Sequence, residues 1–94
     1  MNGEITESSG NVFADLGFPP AEAAVLAMRA ELIAELREMI AHKGWTQVQA
    51  GAELGIGQSR VSDLLRGRRE KFSLDMLVTL AMRAGCTVGL TIGT

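Results

Sequence analysis

The sequence holds one cysteine, one histidine, one tryptophan, two prolines and no tyrosine. A single thiol, Cys86, can close neither an internal disulfide nor a cysteine-based metal cluster, which excludes the disulfide-rich secreted and zinc-finger classes. Long apolar runs are missing too. The longest segment free of Asp, Glu, Lys and Arg is Ala84–Thr94, far short of the ~20 apolar residues of a spanning helix. The opening ten residues, MNGEITESSG, have no basic start and no apolar stretch, so no signal peptide is expected and the predicted location is cytoplasmic. Full disorder is excluded by a hydrophobic content of 47%. At 94 residues the chain suits one domain around one core, and with only three Phe that core must be aliphatic.

The constellations of an enzyme are also missing. There is no phosphate-binding glycine loop, no acid pair with an evident cleft, and nothing brings His42 and Cys86 together. The sequence therefore predicts no catalysis, no metal and no cofactor. His42 reads as a helix-end cation, and Cys86 as a small buried hydrophobe.

Charge is informative only when divided along the chain. The net charge is −2, yet residues 1–42 carry seven acids against Arg29 and Arg37, a balance of −5, while residues 43–94 carry seven bases against four acids, a balance of +3. Arg60, Arg66, Arg68, Arg69 and Lys71 fall within twelve positions. Such an asymmetry implies one face for an anionic partner and another for a different one.

Residues 1–20 read as an arm, punctuated by Gly3, Gly10, Gly17, Pro19 and Pro20, with Val12, Phe13 and Leu16 its packable part. A helical domain over residues 21–85 follows. Pro19-Pro20 sets up a long first helix, and Leu32, Ile33, Leu36, Met39 and Ile40 form its apolar stripe. A run of ~34 Å leaves room for a break near Met28–Ala30. Gly44 stops it after His42 and Lys43. Thr46 caps a short helix ended by Gly55, and a second short helix runs to Arg66 and is closed by Gly67. Arg68–Phe72 reads as a basic loop, and Ser73 caps a last helix to Ala84. Met28, Met39, Met76 and Met82, at helical spacings, and Trp45 are expected in the core. The tail, residues 86–94, partly alternates and is rich in β-branched residues, so it reads as a short strand with Val88, Leu90 and Ile92 on one face. A lone strand cannot satisfy its own backbone, so the expected mate is the same strand of a second subunit. The fold class is thus mainly all-α: about five helices with a short C-terminal dimerising β-strand.

Residues 46–67, TQVQAGAELGIGQSRVSDLLRG, are the most specific run. Ala50 and Gly51 keep the first short helix thin enough for close crossing. Ile56, Val61 and Leu64 would bury one side of the second helix, residues 58–66. Ser59, Ser62, Asp63 and Arg66 would then face outward, with Gln58 at the exposed first turn. A helix of this kind suits the DNA major groove, offering amide, hydroxyl and guanidinium groups to bases and phosphates.

This run resembles the helix-turn-helix of the Xre/Cro/phage-repressor family, and GIGQSRVSDLLRG is similar to the recognition segment of lambda repressor. A wider pattern, Ser9–Gly17, Thr46-Gln47 and Phe72-Ser73-Leu74-Asp75 with a terminal strand, resembles the HigA-type antitoxins encoded beside RelE-like ribonuclease toxins. The first resemblance implies that Gln58 makes a bidentate contact to adenine, that Gln47 binds a phosphate and braces Gln58, that Ser59 reads a base and that Arg66 meets a phosphate. Two positions depart from the phage pattern: Arg60 and Ser62 replace glycines. Asp63 adds an acid to the DNA side, able to accept from a cytosine amino group or to pair with Arg60 or Arg66. The expected base-contacting set is Gln58, Ser59, Ser62 and Asp63, and the phosphate set is Gln47, Arg60, Arg66, Arg68 and Arg69.

The function these resemblances imply is a homodimeric repressor on a palindromic operator in double-stranded DNA, located at the nucleoid, that neutralises a basic HigB/RelE-like toxin. Phe13, Glu31 and Glu35 are the expected toxin-facing residues; equally, Phe13 with its neighbours would cover the chain's own core. The alternatives are a free-standing phage-type regulator and a protein-interaction module that has lost DNA binding.

Overall fold

The computed structural model describes residues 11–93, and the first ten residues of the expected arm and Thr94 lie outside it. Five α-helices are present among the described residues: α1 (Val12–Asp15), α2 (Pro20–Lys43), α3 (Gln47–Leu54), α4 (Gln58–Leu65) and α5 (Leu74–Arg83), with a 3-10 turn at Arg69–Lys71 before α5. None of these helices is long and apolar enough to cross a membrane.

The described part of the arm is not extended. Asn11 caps α1, its side-chain oxygen accepting from the Phe13 and Ala14 N–H groups, and its amide donates to the Ala23 carbonyl at 3.1 Å. One asparagine thus both nucleates α1 and ties it to α2. Pro20 occupies the first helical position of α2, where its missing N–H costs nothing. The helix then continues unbroken to Lys43; the break expected near Met28–Ala30 is absent, because no Gly or Pro interrupts the ladder there. Gly44, at φ +69°, ends α2 in the left-handed conformation.

The core lies where α2, α3, α4 and α5 meet. Ile33, Leu36 and Ile40 of α2 pack with Ala50, Leu54, Val61, Leu64, Leu77, Leu80 and Ala81. Phe72, at the end of the segment expected to be a basic loop, is fully buried among them. Trp45 is half-buried against this cluster, with the Lys43 Nζ 5.9 Å from its ring centroid. Of the four methionines expected inside, only Met39 packs on the core; Met28, Met76 and Met82 are exposed. Their spacing was helical but placed them off the inward stripe.

The tail corrects a further expectation. Residues 86–93 form no strand. A strand exists only through a ladder partner, and this single chain offers none among the described residues. Cys86 and Val88 are half-buried on the core, the Cys86 Sγ lying 3.8 Å from the Met39 Sδ. Leu90 and Ile92 are 75% and 78% exposed, so the expected apolar face covers the helices only at Val88.

Candidate nucleic-acid interface

Local sequence fixes the α3–α4 pair at both ends. The Thr46 hydroxyl accepts from the Gln49 N–H at 3.1 Å while the Gln49 side-chain oxygen accepts from the Thr46 N–H at 2.9 Å, a reciprocal cap that starts α3 and leaves Gln47 exposed in its first turn. Gly55, at φ +70°, turns the chain. Arg83 of α5 donates to the Leu54 carbonyl at 3.0 Å, pinning the turn from outside. No sequence pattern had singled out Arg83 for this; a cation in the last turn of α5 reads as a partner for α5's own dipole.

Helix α3 lies almost backbone to backbone against the turn that leads into α4. A Cβ added at Gly51 would stand 2.8 Å from the Ile56 carbonyl oxygen and 3.7 Å from a Val61 methyl. Only glycine permits that distance. On α4, Val61 and Leu64 are fully buried and Leu65 is half-buried, as is Ile56 in the turn before it. Gln58, Ser59 and Arg66 are exposed, with Ser62 and Asp63 half-exposed on the same side. Among the described residues, Gln47, Gln58, Ser59 and Ser62 make no side-chain hydrogen bond, and none joins Gln47 to Gln58. Their donors and acceptors are open to an incoming ligand.

The basic cluster is less uniform than its sequence. Asp63 faces Arg68, at 4.0 Å from its Nε, rather than Arg60 or Arg66. The pair is loose and wet, so it adds little stability, but it offsets the acid that α4 carries. Arg60 turns away from the outward face. Its guanidinium sits 4.7 Å above the Phe72 ring and donates to the Lys71 carbonyl at 2.9 Å, with its Nε buried and unpartnered. Arg60, expected at a phosphate, here braces the turn before α5. The Arg69 guanidinium lies 4.9 Å from the Phe13 ring centroid, joining α1 to that turn. Arg66 and Lys71 are exposed.

The expected toxin-facing set is split. Glu31 and Glu35 are exposed on α2, but Phe13 is 7% exposed and meets Phe18 edge-on, with ring centroids 6.2 Å apart. Phe13 therefore serves the chain's own packing, because Asn11 orients α1 with that ring toward α2. Val12, Leu16 and Phe18 are exposed apolar groups of this segment.

A short capped helix, a glycine turn and a second helix with a polar outward face define a helix-turn-helix, the class of domain whose second helix enters the DNA major groove. The particular family is the helix-turn-helix domain family HTH_37, which matches residues 12–93, and the chain belongs to it. No curated protein matches the chain.

Proposed function

We propose that the chain is a sequence-specific transcriptional repressor, acting as a homodimer on a palindromic operator, and that it is the antitoxin of a HigB/RelE-type module that neutralises a ribonuclease toxin and represses its own operon. The observation that carries the DNA reading is the division of α4. Val61 and Leu64 are wholly inside, while Gln58, Ser59 and Arg66 stand in solvent with unsatisfied polar groups. Gln58, Ser59, Ser62 and Asp63 would read bases; Gln47, Arg66, Arg68 and Arg69 would meet phosphates. Arg60 would join them only by leaving Phe72.

Dimerisation is supported by the tail. Leu90 and Ile92 are exposed, and the backbone of 86–93 is free of any ladder, so pairing with a twin tail would bury both. A two-fold protein matches a two-fold operator. The antitoxin reading is supported by the resemblance to HigA-type chains and by the exposed acids Glu31 and Glu35, which complement a basic RNA-binding enzyme. Gel shifts on the chain's own promoter test the first part; co-purification with the product of the adjacent gene tests the second. A promoter left unshifted at concentrations that saturate other repressors would remove the DNA reading.

A further inference from the structure

Before Lys43 the chain has only two basic residues, Arg29 and Arg37. On α2, Arg37 falls about 40° from the buried Ile33, whereas Glu31 and Glu35 lie on the far side of the helix. The lone exposed arginine of an acidic helix is thus turned toward α4. A groove of about 180 Å³ runs there, lined by Ala30, Ile33, Ala34, Arg37, Gly67 and Arg69. It adjoins a second groove of about 410 Å³ that Arg37 and Ala34 share with Leu65 and, on its other wall, Glu38.

Both arginines are held in place. A Cβ at Gly67 would lie 3.4 Å from the Arg37 Nη1, so this guanidinium rests on the turn directly after the recognition helix. Arg69 is held by the Phe13 ring. Among the described residues neither guanidinium makes an ion pair or a side-chain hydrogen bond. Two like charges therefore share one groove whose other lining residues, Ala30, Ile33, Ala34 and Gly67, are apolar. Low-dielectric walls focus their field, and planar guanidinium forks suit the oxygens of a phosphate.

We propose that Arg37 and Arg69 form a seat for two adjacent phosphates of the DNA backbone flanking the recognition helix, one on each guanidinium, with Phe13 as the residue that positions Arg69. The seat rests on the DNA-binding reading above and extends it to α2 and to the arm. Its place at the end of α4, with Gly67 in its wall, puts it beside the base-reading face rather than on it. The contact is therefore blind to sequence and acts through counterion release.

The test is fluorescence anisotropy of the full chain with a labelled ~20-bp random duplex, titrated at salt concentrations from about 50 to 200 mM. Arg37→Ala should lower the slope of log affinity against log salt by about 0.9, which makes the loss of affinity over that range about 3.5-fold smaller than in the parent. Arg37→Lys should keep most of the slope. Arg37→Gln retains the stem on Gly67 and serves if the alanine variant melts early. An unchanged slope in folded Arg37→Ala or Arg37→Gln overturns the seat while leaving DNA binding intact. A parent chain without salt-dependent DNA binding overturns the DNA reading, and the seat with it. A labelled oligoglutamate peptide whose binding is abolished by Arg37→Ala, with the DNA slope unmoved, also overturns it, making the groove a dock for an acidic protein segment.

Discussion

Gly51→Ala probes the contact on which the helix-turn-helix depends. Ala favours a helix interior over Gly by about 0.5–1 kcal/mol, so propensity alone predicts stabilisation. The added methyl, however, would meet the Ile56 carbonyl oxygen at 2.8 Å. That atom is backbone and cannot rotate away. The Gly51 carbonyl in turn accepts from the Gly55 and Ile56 N–H groups, so separating the helices strains the turn as well. Restoring an ordinary contact needs about half an ångström of movement between α3 and the turn that leads into α4. Overpacking of this kind costs about 1–3 kcal/mol, and subtracting the propensity gain leaves a net loss of up to about 2.5 kcal/mol. For a chain of this size each kcal/mol moves the melting temperature by about 4–8 °C. Thermal melts followed by circular dichroism give the answer, with Ala52→Gly, exposed on the same helix, measuring the propensity difference alone. A Gly51→Ala protein that melts at or above the parent would refute the close-contact argument.

Gln58→Ala should cost about 1–3 kcal/mol for the cognate operator and little for random DNA, as read by competition gel shift; equal losses on both would put another helix in the groove. Arg83→Met keeps the stem but leaves the Leu54 carbonyl without its donor, and urea unfolding should register a loss of about 1 kcal/mol. Arg60→Ala should lower stability by about 1 kcal/mol through loss of the Phe72 contact, and leave the salt slope on random DNA almost unchanged. Removing residues 86–94 should yield monomers in sedimentation with much weaker operator binding; a truncated dimer would take the tail out of the interface.

What the sequence made legible is what local chemistry decides. Thr46, Gly44, Gly55, Gly67 and Ser73 mark helix ends through caps and left-handed turns, and α3 begins and ends where they require. The stripe Ile33, Leu36, Ile40 was readable because 3.6-residue periodicity survives in α2. Long-range partners were not readable. Arg60 and Arg69 look like neighbouring phosphate contacts in a basic run, but aromatic rings at Phe72 and Phe13, far apart in sequence, claim one for bracing and hold the other. The α1 turn was missed because four residues carry no periodicity; the one local clue was Asn11, a good cap before an apolar pair. The strand was over-read because β-branched alternation describes a segment able to pair, and pairing needs a second chain.

The same partners decide how much of the positive charge can act on DNA. Five cations lie between residues 60 and 71. If each released one counterion, the salt slope would be about 4.5 per subunit. Arg60 is engaged by a ring and a carbonyl, whereas the loose, wet pair with Asp63 leaves Arg68 able to meet a phosphate. Arg66, Arg68, Arg69 and Lys71 remain, joined by Arg37 from the acidic half. Five contacts give a slope of about 4.5 per chain, and a sixth from Arg60 would raise it to about 5.4. The difference is physical: recruiting Arg60 would uncover Phe72, a fully buried ring at the centre of the core, so its charge is withheld from DNA by hydrophobic burial rather than by distance. A slope near 5.4 that falls by about 0.9 in Arg60→Ala would show that Phe72 does not hold Arg60, and that the turn before α5 opens when the recognition helix meets its operator.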